Sequence, residues 1–159
     1  MFDTVAGLPV HPLVVHAVVV LGPLAALLAV LYAVKPAWRV GLKWPTLLTS
    51  GVAAVFAFVA TQSGESFEER VGDPAYDHAE KGDLAAIAVY VLFGAVLLLV
   101  FWLARPTVTT SSVAGILVAS AAALFLLFGI VNAGHSGAKS VWHDQVSGST
   151  AGSGAADSD

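Results

Sequence analysis

The sequence contains no cysteine and few charged residues. The absence of cysteine among 159 residues excludes disulfides, thiolate metal sites, thiol catalysis and the covalent attachment of c-type haem. Only 11% of the residues are charged, whereas a soluble domain has about 25%. Lysine and arginine number 7 against 11 acidic residues, which gives a net charge of -4. This balance argues against a nucleic-acid partner, because binding to phosphates requires clustered positive charge.

Apolar residues make up most of the chain. Hydrophobic residues make up 57% of the chain, and the mean hydropathy is +0.82. A domain this small cannot hide so much apolar surface in its own core, so its solvent must be lipid. A membrane crossing needs about 20 residues, and four apolar runs are long enough. They cover about residues 12–34, 45–63, 84–104 and 113–133.

These runs predict an all-α integral membrane protein, an up-down four-helix bundle that forms one domain over residues 1–144. Residues 145–159 are rich in glycine, serine, alanine and aspartate, and we predict a disordered tail there. The third helix is expected to begin ahead of its apolar part, because Asp73 followed by Pro74 is typical of an N-cap and first helical position. A helix that begins there carries His78 in its second turn.

The basic residues predict the orientation in the membrane. The connections between the first and second runs and between the third and fourth hold four of the seven Lys and Arg residues and no acidic residue. Short loops rich in Lys and Arg remain in the cytoplasm. Both termini and the middle connection are therefore predicted to be extracytoplasmic. All five histidines fall toward that outer face.

A weak internal repeat is consistent with this topology. Each half begins with a histidine, passes through an apolar run and turns at a basic residue followed by proline, at Lys35-Pro36 and Arg105-Pro106. Each half then returns to a Ser-Gly pair, at residues 63–64 and 136–137. Two hairpins of like orientation predict a pseudo-twofold axis along the membrane normal.

Two histidines open the first run. His16 lies inside the run, where an ionisable group is costly and is by default a functional candidate. The alternative is a neutral imidazole that is hydrogen-bonded to another helix. His11 lies five residues earlier, about 140° around a helix, so the two side chains cannot share a face. His11 is expected to be an interfacial or N-cap residue, with a ligand role as the alternative.

Three further residues extend the candidate site. His135 follows Asn132 by three residues and is flanked by glycines, which suits either a ligand or a helix C-terminus. His78 lies in an acidic stretch and is either a ligand or part of a solvated turn. Glu65 is the acid nearest the second apolar run, and a continuing helix would direct it toward the same site.

Several short motifs in this chain resemble those of a known family. They are GLPVHPLVVH at residues 7–16, SGE at 63–65, HAE at 78–80 and GHSGA at 134–138. They look like the motifs of an uncharacterised family of bacterial, notably actinobacterial, four-span membrane proteins of unknown function. The resemblance implies a multi-pass protein of the bacterial cytoplasmic membrane, and it implies no particular reaction.

The main functional hypothesis is a His/Glu site near the extracytoplasmic face that binds b-type haem or a transition metal ion (zinc, copper or iron). Helix bundles build such sites from facing side chains, and neutral imidazole suits these metals. With haem, His16 and either His78 or His135 would be axial ligands, and electrons would pass to a redox partner at the outer face. With a non-haem ion, Glu65 and His11 join the histidines.

Two other classes remain open. The polar cluster could instead be a hydrogen-bond network in a non-catalytic structural or accessory membrane protein, which binds a protein partner or forms a homo-oligomer. An enzyme or a transporter is the third class, for example a zinc hydrolase with Glu65 as base. The sequence does not decide whether the protein is an enzyme.

Overall fold

The computed structural model of the chain describes residues 4–5, 8–71, 77–103 and 112–151, and most of these are helical. Two short strands, β1 (Thr4–Val5) and β2 (Leu8–Pro9), pair antiparallel near the N-terminus. Four long helices follow: α1 (Val10–Val34), α2 (Arg39–Val71), α3 (His78–Leu103) and α4 (Val113–Ala151). A single 3₁₀ turn, Pro36–Trp38, joins α1 to α2. The predicted all-α four-helix bundle is confirmed.

The four helices pack in a ring. Helices α1 and α2 form one closely packed hairpin, and α3 and α4 form the other. The hairpins meet through α2 against α3 and α4 against α1, whereas α1 and α3 lie diagonally and make few contacts. The two hairpins are therefore arranged alike, as the sequence repeat predicts.

All four helices are long and apolar enough to cross a membrane. Large apolar side chains point outward on every helix, including Val20, Leu48, Phe101 and Leu124. Such exposure is costly in water and is expected in lipid, where the bundle surface contacts acyl chains. The chain is thus a multi-pass membrane protein.

Helices α2 and α4 extend well past their apolar runs, to Val71 and Ala151. A helix needs hydrogen bonds and not hydrophobicity, so it can continue beyond the bilayer. Helix α4 therefore includes residues 145–151 of the segment in which we predict a disordered tail, and residues 152–159 lie outside the described part of the chain.

The centre of the bundle consists largely of small side chains. Buried positions on α1 include Ala25, Ala29 and Ala33. Gly22 brings α1 against α4, because a Cβ there would lie 3.1 Å from Ile130 Cδ1. Gly129 brings α4 even closer to α3, because a Cβ there would lie 3.0 Å from Cα of Ala85. Small residues allow helix backbones to approach closely, which is the main source of packing energy between helices in lipid.

Helix α3 begins later than the sequence suggests. Asp77 has a φ of 52°, a left-handed conformation that aspartate tolerates but that cannot continue a right-handed helix. His78 is therefore the first residue of α3, and its expected place in the second turn is wrong. Asp73 and Pro74, the expected helix start, lie outside the described residues.

Candidate functional site

His11 links the two helices of the first hairpin. It is the second residue of α1 and is half-buried, and its Nδ1 lies 2.9 Å from the Ala60 carbonyl oxygen on α2. A carbonyl oxygen only accepts hydrogen bonds, so Nδ1 must carry the proton and donate it. In the neutral ring, the lone pair is then on Nε2. His11 is thus a helix residue with a tertiary contact and not an N-cap.

His78 occupies the equivalent place in the second hairpin. Its Nδ1 lies 3.0 Å from Oγ of Ser136 on α4. Oγ of the buried Ser136 also lies 3.0 Å from the Ala133 carbonyl oxygen, to which the hydroxyl can donate. The tautomer of the imidazole decides whether His78 or Ser136 donates in the bond between them.

A glycine follows the serine in each hairpin and makes room for the imidazole. A Cβ at Gly64 would lie 3.2 Å from Cε1 of His11, and a Cβ at Gly137 would lie 2.9 Å from Cε1 of His78. Ser63 also lies beside its histidine, with Oγ 3.5 Å from Nδ1 of His11. The repeated His and Ser-Gly of the sequence are therefore matching contacts in the two halves of the bundle.

His16 and His135 have different surroundings. Both side chains are exposed. Nδ1 of His16 donates to the Pro12 carbonyl oxygen of its own helix. Asn132 likewise donates from Nδ2 to the Phe128 carbonyl oxygen of α4, at 2.8 Å. His16 is exposed and His11 is half-buried, so the two side chains lie on different faces of α1, as their spacing predicts.

The contacts between helices place these histidines at similar depth. Gly22 packs beside Leu126 and Ile130, and Gly137 packs beside His78. Counting along the antiparallel helices from these contacts at about 1.5 Å per residue puts His11, His16, His78 and His135 within roughly 10 Å along the bundle axis. We call this end of the bundle the histidine end. The side chain of His143 lies outside the described part of the chain.

The described residues do not assemble a metal site with several protein ligands. Glu65 is exposed on α2, next to Gly64. Among the side chains that the structure describes, no three His, Asp or Glu residues come together to hold an ion. The five candidates from the sequence thus share one end of the bundle without forming one described cluster.

The hydrogen-bond partners of the two half-buried histidines could not be predicted from the sequence. Ser63 and Ser136 belong to the repeat, but the repeat alone does not indicate that they contact His11 and His78. The Ala60 carbonyl oxygen could not be found from residue types, because every residue has a carbonyl. The signal that was present is the order of residues, since the same His and Ser-Gly pattern appears in each half.

Comparisons with known proteins give one match. No curated protein and no solved structure is found to be similar to the chain. A family model described as "Predicted membrane protein (DUF2231)" matches residues 7–150, which include every residue of the candidate site and all of the four helices except the last residue of α4. The bundle and its histidine end thus lie within the matched region, and the chain belongs to this family of predicted membrane proteins.

Proposed function

We propose that the protein binds b-type haem or a transition metal ion through imidazole nitrogens at the histidine end and transfers electrons there. One observation supports this proposal above the others. In His11, His16 and His78, Nδ1 is hydrogen-bonded to an oxygen atom of a helix. Histidines that bind metals almost always donate their other ring N–H to such a partner, because this fixes the tautomer and the ring.

We favour haem over a non-haem ion, because haem requires fewer ligands from the protein. Structural and catalytic zinc sites take three or four protein ligands. No three His, Asp or Glu side chains are grouped in the described parts of the chain. A porphyrin supplies four nitrogen ligands itself, so the protein needs to add only one or two axial side chains. Paired imidazoles are sufficient for that role.

The proposal is tested by an absorption spectrum of the protein in mild detergent, recorded before and after addition of dithionite. The same sample is assayed for zinc, copper and iron. A Soret band that sharpens on reduction supports haem and electron transfer. Stoichiometric metal without a Soret band supports a non-haem ion. A preparation grown with ample haem and metals that contains neither contradicts the proposal.

A structural or accessory role is the second candidate, and a specific observation favours it. The bonds from His11 to Ala60 and from His78 to Ser136 each join the two helices of one hairpin. A typical intramolecular hydrogen bond contributes about 1 kcal/mol to stability without any cofactor. A cofactor-free preparation in which His11→Ala and His78→Ala lower the unfolding temperature would support this role.

The extracytoplasmic position of the histidine end is part of the proposal. The chain has no cysteine, so single cysteines can report orientation. Gly41 and Ala138 are both exposed and lie at opposite ends of the bundle. In intact cells, a membrane-impermeant maleimide is expected to label Ala138→Cys and not Gly41→Cys, because basic connections remain cytoplasmic.

Detergent-solubilised protein provides the control, since both cysteines should react there. The reverse labelling pattern would place the histidine end in the cytoplasm. An extracytoplasmic histidine end is also the surface at which a redox partner would dock.

A further inference from the structure

We infer that a groove between α2 and α3 binds one anionic phospholipid, with an acyl chain in the groove and the phosphate at Lys43. The site lies in the leaflet on the side of the 3₁₀ turn, which is the cytoplasmic leaflet in the proposed orientation. It is separate from the histidine end, so the inference does not depend on the cofactor proposed there.

The groove is an apolar recess in the outer surface of the bundle. Its volume is about 360 Å³, and sites for small molecules typically measure about 300–1,000 Å³. Exposed side chains on both helices, including Val52 and Leu97, leave it open toward the lipid. The large side chains that line it are Leu47, Leu48, Val52 and Val55 on α2, and Phe93 and Leu97 on α3. A lipid chain therefore meets apolar side chains on both walls.

Gly51 contributes to the space inside the groove. It is half-buried on α2 and faces α3, because a Cβ there would lie 3.5 Å from Cε2 of Phe93. This distance is an ordinary van der Waals contact, so the glycine is not required for the two helices to approach each other. A larger side chain at position 51 would instead occupy the groove.

The length of the groove matches one leaflet of the bilayer. Its lining on α2 extends from Leu47 to Val55, a separation of eight residues or about 12 Å along the helix. The hydrocarbon core is about 30 Å thick, so one leaflet accounts for about 15 Å. The apolar run of α2 begins near residue 45, which places the groove in the leaflet next to the 3₁₀ turn. Toward the histidine end, a side-chain hydrogen bond between Thr61 and Tyr90 joins α2 to α3.

Lys43 and Trp44 continue the wall of the groove to the membrane surface. Residues four apart are neighbours on one side of a helix, so Lys43 is in line with Leu47, and Trp44 with Leu48. Nζ of Lys43 lies 5.6 Å from the centre of the Trp44 ring. Tryptophan is enriched at the level of the lipid headgroups. A lipid whose chain lies in the groove thus has its phosphate beside a lysine.

The charge of Lys43 favours an anionic lipid over a zwitterionic one. A basic residue near the surface attracts anionic lipids, and this attraction acts over about a Debye length. A zwitterionic headgroup carries its own positive charge, which offsets the attraction between its phosphate and Lys43. The lysine therefore supplies selectivity, while the groove supplies packing contacts for the chain.

The size of the groove favours a lipid chain over a helix of a second copy. A helix is about 10 Å wide with its side chains, so a 12 Å length of helix occupies roughly 900 Å³. This is more than twice the volume of the groove. A second copy could insert only single side chains, whereas an acyl chain can lie along the whole groove.

Native mass spectrometry tests the inference on purified protein titrated with phosphatidylglycerol or with phosphatidylcholine of the same acyl chains. We expect a one-lipid complex in which phosphatidylglycerol binds about fivefold more tightly, the effect of one lysine near an anionic headgroup. Lys43→Gln should remove this preference. Lys35→Gln is the matched control and should retain it, because Lys35 is exposed at the same end of the bundle but follows α1.

Two substitutions that fill the groove test the position of the chain. Gly51→Leu is expected to abolish the one-lipid complex with either lipid. Val52→Phe should do the same, and because Val52 is exposed at the rim, the larger ring does not disturb the core. Val118→Phe is the control, since it adds the same volume at an exposed position on α4. Circular dichroism in detergent verifies that each variant is helical.

Three results would overturn the inference. Equal affinities for the two lipids, or a preference that persists in Lys43→Gln, would show that the phosphate does not lie at Lys43. A one-lipid complex that survives both Gly51→Leu and Val52→Phe would show that the chain lies elsewhere. A lipid-free dimer that these two variants convert to monomers would identify the groove as an interface between copies of the chain.

Discussion

Replacement of Gly129 by alanine is expected to destabilise the protein strongly. A Cβ at this buried position would lie 3.0 Å from Cα and 3.5 Å from N of Ala85, and 3.5 Å from Cβ of Ala88. Backbone atoms cannot rotate out of the way, so α4 and α3 would have to move apart. Overpacking of this kind costs about 1–3 kcal/mol. A larger side chain, as in Gly129→Leu, should cost more.

Unfolding in mixed detergent, followed by circular dichroism, measures this effect. Gly94→Ala and Gly134→Ala are the matched controls, since a Cβ at either helical position has nothing within 4 Å. Alanine in place of glycine favours a helix by about 0.5–1 kcal/mol, so the controls should be neutral or slightly stabilised. If Gly129→Ala were as stable as these controls, the close contact between α3 and α4 would be wrong.

The number and type of helices could be predicted because lipid permits few alternatives. A chain in the bilayer must satisfy its backbone hydrogen bonds internally, so each apolar run of sufficient length is a helix. The helix ends could not be predicted in the same way. Hydropathy detects the bilayer-embedded part of α2 and α4, but both helices continue to Val71 and Ala151 through polar residues. Asp77 shows the opposite failure, because its left-handed φ shortens α3 against the local signals.

The location of the histidines at one end could also be predicted from the sequence. Successive helices run in opposite directions, so the starts of α1 and α3 and the ends of α2 and α4 lie at the same end of the bundle. Which histidine faces the core did not follow from hydropathy. In a soluble helix, the polar face marks the outside, whereas these helices are apolar on every side. On α1, the size of the side chain distinguishes the two faces, because small residues such as Ala25 face the core and large residues such as Leu27 face outward.

His16 lies inside an apolar run, and the cost of a histidine that faces lipid is the reason for predicting a site there. The structure offers another way to reduce the cost, because Nδ1 of His16 bonds to the Pro12 carbonyl oxygen of the same helix. Buried Val18 and Ala25 repeat at seven-residue intervals from His11, so His11 lies on the buried face of α1 and His16 does not.

Replacement of Arg39 by alanine is the second substitution with a large expected effect. Arg39 is buried at the start of α2, where Nε donates to the Tyr32 carbonyl oxygen at 3.2 Å and Nη2 to that of Ala33 at 3.4 Å. These carbonyls belong to the last turn of α1, which has no intrahelical donors for them. Loss of charged bonds to these acceptors is expected to lower stability by about 1.5–3 kcal/mol.

Lys43→Ala is the control that makes the Arg39 result interpretable. Lys43 lies in the same predicted cytoplasmic region, and its Nζ is 5.6 Å from the centre of the Trp44 ring, a contact worth about 0.5–1 kcal/mol at an exposed site. Each substitution removes one positive charge, so the effects on membrane orientation should be equal. The difference between their unfolding free energies therefore isolates the capping of α1. Equal stabilities of Arg39→Ala and Lys43→Ala would show that water satisfies the carbonyls of Tyr32 and Ala33. If Arg39→Lys has a stability between that of the unmodified protein and that of Arg39→Ala, the forked guanidinium is required, because it bonds two carbonyls at once.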